Sequence, residues 1–313
     1  MAQQDFETFK LGDWELQSGE KLINASIAYK TFGDPKSPAI VYPTWFSGSI
    51  SDNVWLIGED KTLNPKTYFI VIPALFGNGQ STSPSNYSAS DVFPACSFYD
   101  NVRAQYTLVT QHLGITHLHA VVGWSMGAAQ SYQWATQYPD FMDLVVPFCG
   151  SARTSLHNQV FLEGVKGALL AAKHTPSAVL RDTRSPEAGQ ESRIWNNKEK
   201  QIGLKALGDL AKLSTEKSCM RLHLATRAWR TSCKVSGRSG LSPKVSRFKP
   251  LSVFTLLVNV ADLDPENLLA HLQTWQQGDV SNQEPYNGDF EKAMASIKAK
   301  TLVLPGKTDL YFP

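Results

Sequence analysis

The sequence lacks paired cysteine spacings, long apolar runs and any excess of one charge. Its four cysteines, Cys96, Cys149, Cys219 and Cys233, form no C-x-x-C pair. Neither a metal site nor a disulfide framework is expected, and a reducing cytoplasmic setting fits. The longest apolar run, "LSVFTLLVNVA" from Leu251 to Ala261, is too short to span a bilayer. The opening "MAQQDFETFK" has no apolar stretch of the secretory kind. With 30 basic and 28 acidic residues the net charge is +2, which gives no reason to expect nucleic acid or a membrane surface as partner. What remains is 313 residues, 42% apolar and 11% aromatic, enough for one large α/β domain or two small ones, with a substantial core.

The first half alternates strand-like and helix-like segments. "INASIAYKTFG" alternates and turns at Gly33-Asp34-Pro35. "AIVYPTW" (39–45), "YFIVIPAL" (68–75), "LHAVVGW" (118–124) and "DLVVPFCG" (143–150) read as buried parallel strands. Residues 100–113 place Val102, Tyr106, Val109 and Leu113 on one helical face, with Asp100 as the expected N-cap. "AAQSYQWATQYP" reads as a helix ended by Pro139. Residues 155–175 have helical character, 176–200 are polar without a period, and the alternation returns with a helix at 289–297 and a strand at 301–306. This pattern predicts a mostly parallel sheet with helices on both faces. The core is expected over 1–153 and 289–313, interrupted by an inserted helical lid over 154–288.

The chemistry centres on Gly123-Trp124-Ser125-Met126-Gly127, a G-x-S-x-G motif between an apolar strand and a helix. A serine hydroxyl attacks poorly unless it is exposed and partnered by a base. A sharp strand-to-helix turn exposes it, and small residues two positions either side let strand and helix cross closely. Ser125 is the candidate nucleophile; the bland alternative is a buried turn serine. An oxyanion hole is also needed. The Met126 N–H is one expected donor, and the loop "YPTWFSGS" should supply the second. Phe46 N–H is the candidate there, with Trp45 close behind. Trp45 and Phe46 are also candidate pocket walls.

At these residues the chain resembles the homoserine O-acetyltransferase-like (MetX-like) branch of the α/β-hydrolase superfamily, especially its fungal members. The resemblance is carried by "AYKTFGD", "YPTWFSGS", "IPALFGNGQSTSPSN", "YDNVRAQ", "GWSMGAAQSYQWATQYPDF", "CGSARTSLHN", "DPENLLAHLQTWQQGDVS" and "LVLPGKTDLYFP". It implies a Ser–Asp–His triad and acyl transfer through an acyl-enzyme, to a small hydroxyl compound or to water. Acetyl-CoA is the donor expected for a transferase, and a homodimer is compatible with the family. Arg153 in "SARTS" is a candidate anchor for an acceptor carboxylate; a structural role at the helix entry competes with it.

Asp309, just beyond the apolar stretch ending at Leu304-Pro305, is the candidate triad acid, placed to hold an imidazole tautomer. The seven histidines are 112, 117, 119, 157, 174, 223 and 271, and none follows Asp309. His112, His117 and His119 read as structural or surface residues, His157 as a weak substitute base, and His271 as a solvated helical residue. The resemblance places one more strand, a helix and the histidine after Asp309. The chain is therefore expected to be C-terminally truncated and a poor catalyst, and a peroxisomal address would sit on any continuation.

Residues 217–260 carry nine Lys or Arg and no Asp or Glu, unlike the mixed charge elsewhere. They suit a basic patch for an anionic ligand, a solvated lid face, or a gene-level anomaly. Shifted by one nucleotide with permissible codons, "LATRAWRTSC" can encode "GYKGLEDFL", the start of an amphipathic helix, and Val245-Ser246 fits a splice-donor-like codon pair. A frame-shifted lid followed by a retained intron explains the most. Substrate identity is unreadable there. Hydrolysis of a carboxylic ester and an inactive remnant are the rivals to acyl transfer.

Overall fold

The computed structural model describes residues 5–88, 92–174 and 263–305. Asp309 and the anomalous stretch at 217–260 lie outside the described residues. Seven strands form one sheet: β1 (Glu7–Glu15), β2 (Lys21–Phe32), β3 (Ala39–Val41), β4 (Phe69–Pro73), β5 (Leu118–Trp124), β6 (Met142–Phe148) and β7 (Lys300–Thr301). Their order is β1-β2-β4-β3-β5-β6-β7. β1 and β2 form an antiparallel hairpin, and β2 is antiparallel to β4. All other pairs are parallel.

The helices are α1 (Phe98–Thr107), α2 (Met126–Gln137), α3 (Leu156–His174), α4 (Pro265–Gln276) and α5 (Phe290–Ala295). Side chains alternate along the central strands, so both faces of the sheet are covered. Ile40, Ala120, Val122 and Val146 pack with Leu162, Leu268 and Trp275 of α3 and α4. Val41, Val121 and Val145 face the other way, onto Val102 of α1 and Trp134 of α2. α3 and α4 both lie inside the stretch assigned to the lid, yet they share a core cluster with the sheet.

Several expectations shift in detail. β3 ends at Val41 rather than near 45: Pro43 offers no N–H to a ladder, and pairing with β5 stops at Val41, although the Tyr42 and Thr44 N–H groups still bond Val71 O and Pro73 O of β4. α1 starts earlier than expected, with Ser97 and not Asp100 as its N-cap. The two residues form a capping box in which Ser97 Oγ accepts the Asp100 N–H and the Asp100 carboxylate accepts the Ser97 N–H. A π-helical turn, Leu108–His112, continues α1.

The chain places β4 on one side of β3 and β5 on the other. In open α/β sheets the crevice outside the carboxyl ends of strands at such a reversal is where ligands bind. The segments leaving β3 and β5 at that point are the 42–48 loop and the Ser125 turn. His117 and His119 flank the opposite end of β5, roughly 20 Å away at strand rise. There His117 Nε2 lies 2.9 Å from Asp143 Oδ1 and holds that carboxylate below its usual range, and His119 stacks on Tyr68. His112 stacks on Phe9 and bonds Tyr29 OH at 2.8 Å. Among the described residues no helix is long and apolar enough to cross a membrane.

Candidate active site

Ser125 sits between β5 and α2 with φ 55° and ψ −122°, a region that side-chain-bearing residues adopt at a cost of about 1–3 kcal/mol. The surrounding contacts explain how the strain is held. Ser125 N–H donates to Phe148 O at 3.1 Å, which continues the β5–β6 ladder through the turn. Its carbonyl accepts the Ala128 N–H at 2.9 Å and so starts the helix. A Cβ on Gly123 would overlap the Gly127 carbonyl and Ser131 Oγ, so only glycine allows this crossing. A Cβ on Gly127 would stand 3.0 Å from Pro43 O, against the loop after β3. Gly150 completes the set, since a Cβ there would meet Ser125 O at 2.5 Å.

The hydroxyl does not cap its own helix. Ser125 is half-buried, and its Oγ has no hydrogen-bond partner among the described residues. The first N–H groups of α2 point out of the helix end, where the partial positive charge favours an anion.

The loop after β3 is tied down by its carbonyls. Asn53 Nδ2 donates to Tyr42 O at 3.0 Å and to Pro43 O at 3.2 Å. Gln130 Nε2, from the second turn of α2, donates to Thr44 O at 2.8 Å and to Met126 O at 3.2 Å. Gln130 Oε1 accepts from Gln105 Nε2 at 2.6 Å, and Gln105 Oε1 accepts from Trp134 Nε1 at 2.8 Å. Thr44 Oγ1 accepts the Leu75 N–H at 3.1 Å. Among the described residues, the N–H groups of Trp45, Phe46 and Met126 have no acceptor. The loop thus anchors the Tyr42, Pro43 and Thr44 oxygens and leaves the Trp45 and Phe46 N–H groups without acceptors among the described residues.

Aromatic rings line the same region. Trp45 meets Trp124 edge-on at 4.8 Å, and Trp55 lies 6.3 Å from Trp124 and 6.5 Å from Phe148. Trp45 and Trp124 are buried; Phe46 is half-buried, 5.8 Å from Trp275 and 6.2 Å from His271.

One expectation is corrected, and one candidate anchor is found engaged. His271 is not solvated: it is 1% exposed, because Leu268, His271, Leu272 and Trp275 share the inner face of α4. Burial pushes its pKa down to about 4, with a polar contact to the Phe76 backbone opposing the shift only in part. Arg153 is not a free anchor. Its Nε donates to Asp279 Oδ2 at 2.6 Å, its guanidinium reaches Ser281 Oγ at 3.0 Å and it lies over the Phe290 ring. It ties the entry of α3 to the segment after α4.

Asp309 lies outside the described residues, but the sheet edge leading to it is visible. Cys149 N–H donates to Leu304 O at 3.0 Å, and Phe148 bridges Leu304 in parallel. Leu304 therefore lies alongside the carboxyl end of β6, at Cys149, one residue before Gly150, where a Cβ would meet Ser125 O. Gln130 and His271 are the site residues that sequence reasoning missed. Their partners lie 86 and 224 positions away in the chain, so no local pattern announces them.

Residues 43–193 match the α/β hydrolase fold family model. A probable esterase of Corynebacterium glutamicum is 33% identical over all of this chain and 83% of its own length. An ethyl acetate hydrolase of Pseudomonas veronii is 33% identical over 98% of this chain and 81% of its own. The crystal structure of an acetylester hydrolase from Corynebacterium glutamicum superposes with a TM-score of 0.75 and 32% identity, over 98% of this chain and 82% of that one. Homoserine O-acetyltransferases align over about half of the chain, as in one from Methanosalsum zhilinae, 31% identical over 56% of this chain and 40% of its own. The resemblance to that branch in sequence is thus partial, whereas the two esterases align over 98–100% of this chain. Fold, motif context and whole-length similarity agree: the chain belongs to the α/β hydrolase fold family, whose relatives here are esterases and acyltransferases.

Proposed function

We propose that this chain is a serine esterase that cleaves small carboxylic esters, acetate esters foremost, through an acyl-enzyme on Ser125. One observation carries the reading: a strained, half-buried serine whose hydroxyl is unpaired among the described residues, followed by Met126 and flanked by the 42–48 loop, with the Met126 and Phe46 N–H groups lacking acceptors. In this reading Ser125 Oγ attacks the ester carbonyl and loses its proton to a base. The carbonyl oxygen becomes an oxyanion held by the Met126 and Phe46 N–H groups. Removing one such donor from an oxyanion hole typically costs about 10²–10³ in rate. The tetrahedral adduct collapses, the alcohol leaves with a proton, and water repeats the sequence to release the acid.

Asp309 is the proposed triad acid, the carboxylate that would orient an imidazole base. No histidine of this chain follows it, and burial with a pKa of about 4 makes His271 a weak proton acceptor. The Trp45, Trp55, Trp124 and Phe148 rings fill space beside Ser125, which favours a short acyl group.

Acyl transfer from acetyl-CoA to a hydroxyl compound is the second reading, favoured by the partial alignment with homoserine O-acetyltransferases. The engagement of Arg153 by Asp279 weighs against an exposed carboxylate anchor at that residue. Incubation with p-nitrophenyl esters of increasing acyl length, with and without a hydroxyl acceptor, separates the two. Release of acetate without an acceptor, lost in Ser125→Ala, supports the esterase. Turnover only when an acceptor is added supports the transferase. Equal rates in wild type and Ser125→Ala would sink both.

A further inference from the structure

His271 is a buried titratable group that the reaction above does not use. Its Nδ1 accepts the Ser47 N–H at 3.4 Å, so Nδ1 carries no proton and the neutral ring holds its proton on Nε2. Nε2 faces the Phe76–Gly77 backbone and has no full hydrogen-bond partner among the described residues. No group of three His, Cys, Asp or Glu among the described residues could hold a metal ion, which removes the ligand reading there.

The contact falls at a telling place. Ser47 follows Phe46 and has φ 61°, a left-handed conformation that needs outside support. Upstream, the loop is fixed toward α2 through Thr44 O and Gln130. Within the turn, Gly48 N–H donates to Trp45 O at 3.0 Å. The Ser47 N–H leaves the turn and reaches α4. Because peptide planes are rigid, fixing Ser47 N–H fixes the Phe46 carbonyl, which leaves only the φ and ψ of Phe46 between that plane and the Phe46 N–H. The Phe46 ring is held from the same helix by Trp275 and His271. α4 also bonds two other segments near the site: Thr274 Oγ1 donates to Cys96 O at 2.7 Å, and Asn267 Nδ2 to Ser85 Oγ at 2.8 Å.

We propose that His271 is a positioning residue: as a neutral acceptor for the Ser47 N–H it locks the loop that presents Phe46 N–H, coupling α4 to the oxyanion hole. The coupling to catalysis rests on the esterase reading; the His271–Ser47 contact does not. Substitution by asparagine or glutamine distinguishes this role from mere space filling. An asparagine in place of His271 would offer its oxygen near the Nδ1 position, whereas a glutamine would offer it near Nε2.

The test compares wild type, His271→Asn and His271→Gln in the full chain. Imidazole ¹⁵N shifts should show the Nε2–H tautomer in wild type. Exchange of the Ser47 amide should stay within about threefold of wild type in His271→Asn and accelerate about tenfold or more in His271→Gln, at matched global stability. An Nδ1–H tautomer, or equal exchange in the two variants, overturns the proposal. The rate of Ser125 labelling by a fluorophosphonate should fall about tenfold in His271→Gln and be largely kept in His271→Asn. Equal labelling in both variants refutes the coupling to catalysis. Absence of labelling in wild type refutes the esterase reading, while the tautomer and exchange data still decide the contact.

Discussion

Replacing Gln130 by leucine tests the network that joins the oxyanion loop to the nucleophile helix. Gln130 and Gln105 are both fully buried. Leucine keeps the volume but leaves Thr44 O and the Gln105 amide without their partners. Met126 O loses only a second bond, since the helix ladder still serves it. At about 1.5 kcal/mol for each orphaned buried group, Gln130→Leu costs about 3 kcal/mol. Gln105→Leu orphans Gln130 Oε1 and Trp134 Nε1 and costs about the same. The double variant orphans only Thr44 O and Trp134 Nε1, so it should cost about 3 kcal/mol rather than about 6. Urea unfolding followed by tryptophan fluorescence reads all four corners of the cycle. Costs that add to within about 0.5 kcal/mol would show that the glutamines do not act as one chain, and the reasoning would fail.

Other outcomes follow from single contacts. Gly123→Ala forces a methyl into the Gly127 carbonyl and should destabilise by about 3 kcal/mol or more, whereas Gly164→Ala on α3, with open space around it, should stabilise by about 0.5–1 kcal/mol. Urea midpoints of the two variants give the comparison, and a tolerated Gly123→Ala would contradict the close crossing. Acid should weaken the fold through His271. Its folded pKa of about 4 lies below the ordinary value of 6.5, so between these limits the unfolded chain binds a proton that the folded chain does not. This contribution is intact above pH 6.5 and is lost as the pH drops toward 4, with about 2.5 kcal/mol of stability gone by pH 4.5. Unfolding at pH 7 and 4.5 should show that difference in wild type and not in His271→Asn; equal pH dependence in the two would rule the assignment out.

The parts of the fold that were legible in the sequence are those decided by local pattern. β5 and β6 are continuous apolar runs buried on both faces, and they fall within a residue or two of their expected ends. The elbow was legible because Gly, Ser and Gly at fixed spacing answer a steric demand that the backbone makes there. β1 escaped notice because it is a half-exposed edge strand carrying Glu7, Lys10, Asp13 and Glu15, with bulges about Gly12 that break its alternation. The capping box Ser97-x-x-Asp100 was present as a motif, and its first residue rather than its second proved to be the cap. His271 stands three residues after Leu268 and four before Trp275, a spacing that marks the buried face; its polarity pointed the other way. The anchoring of the 42–48 loop was illegible because Asn53, Gln130 and His271 meet it only in the folded chain.

The central proposal is that Ser125 is the nucleophile, exposed by the turn at the sheet reversal. Intact-mass and peptide mass spectrometry after treatment with a fluorophosphonate probe test it directly. One adduct, located on Ser125 and absent from Ser125→Ala, is the expected result. Labelling that is equal in Ser125→Ala, or no adduct at Ser125 under prolonged excess probe, would contradict it.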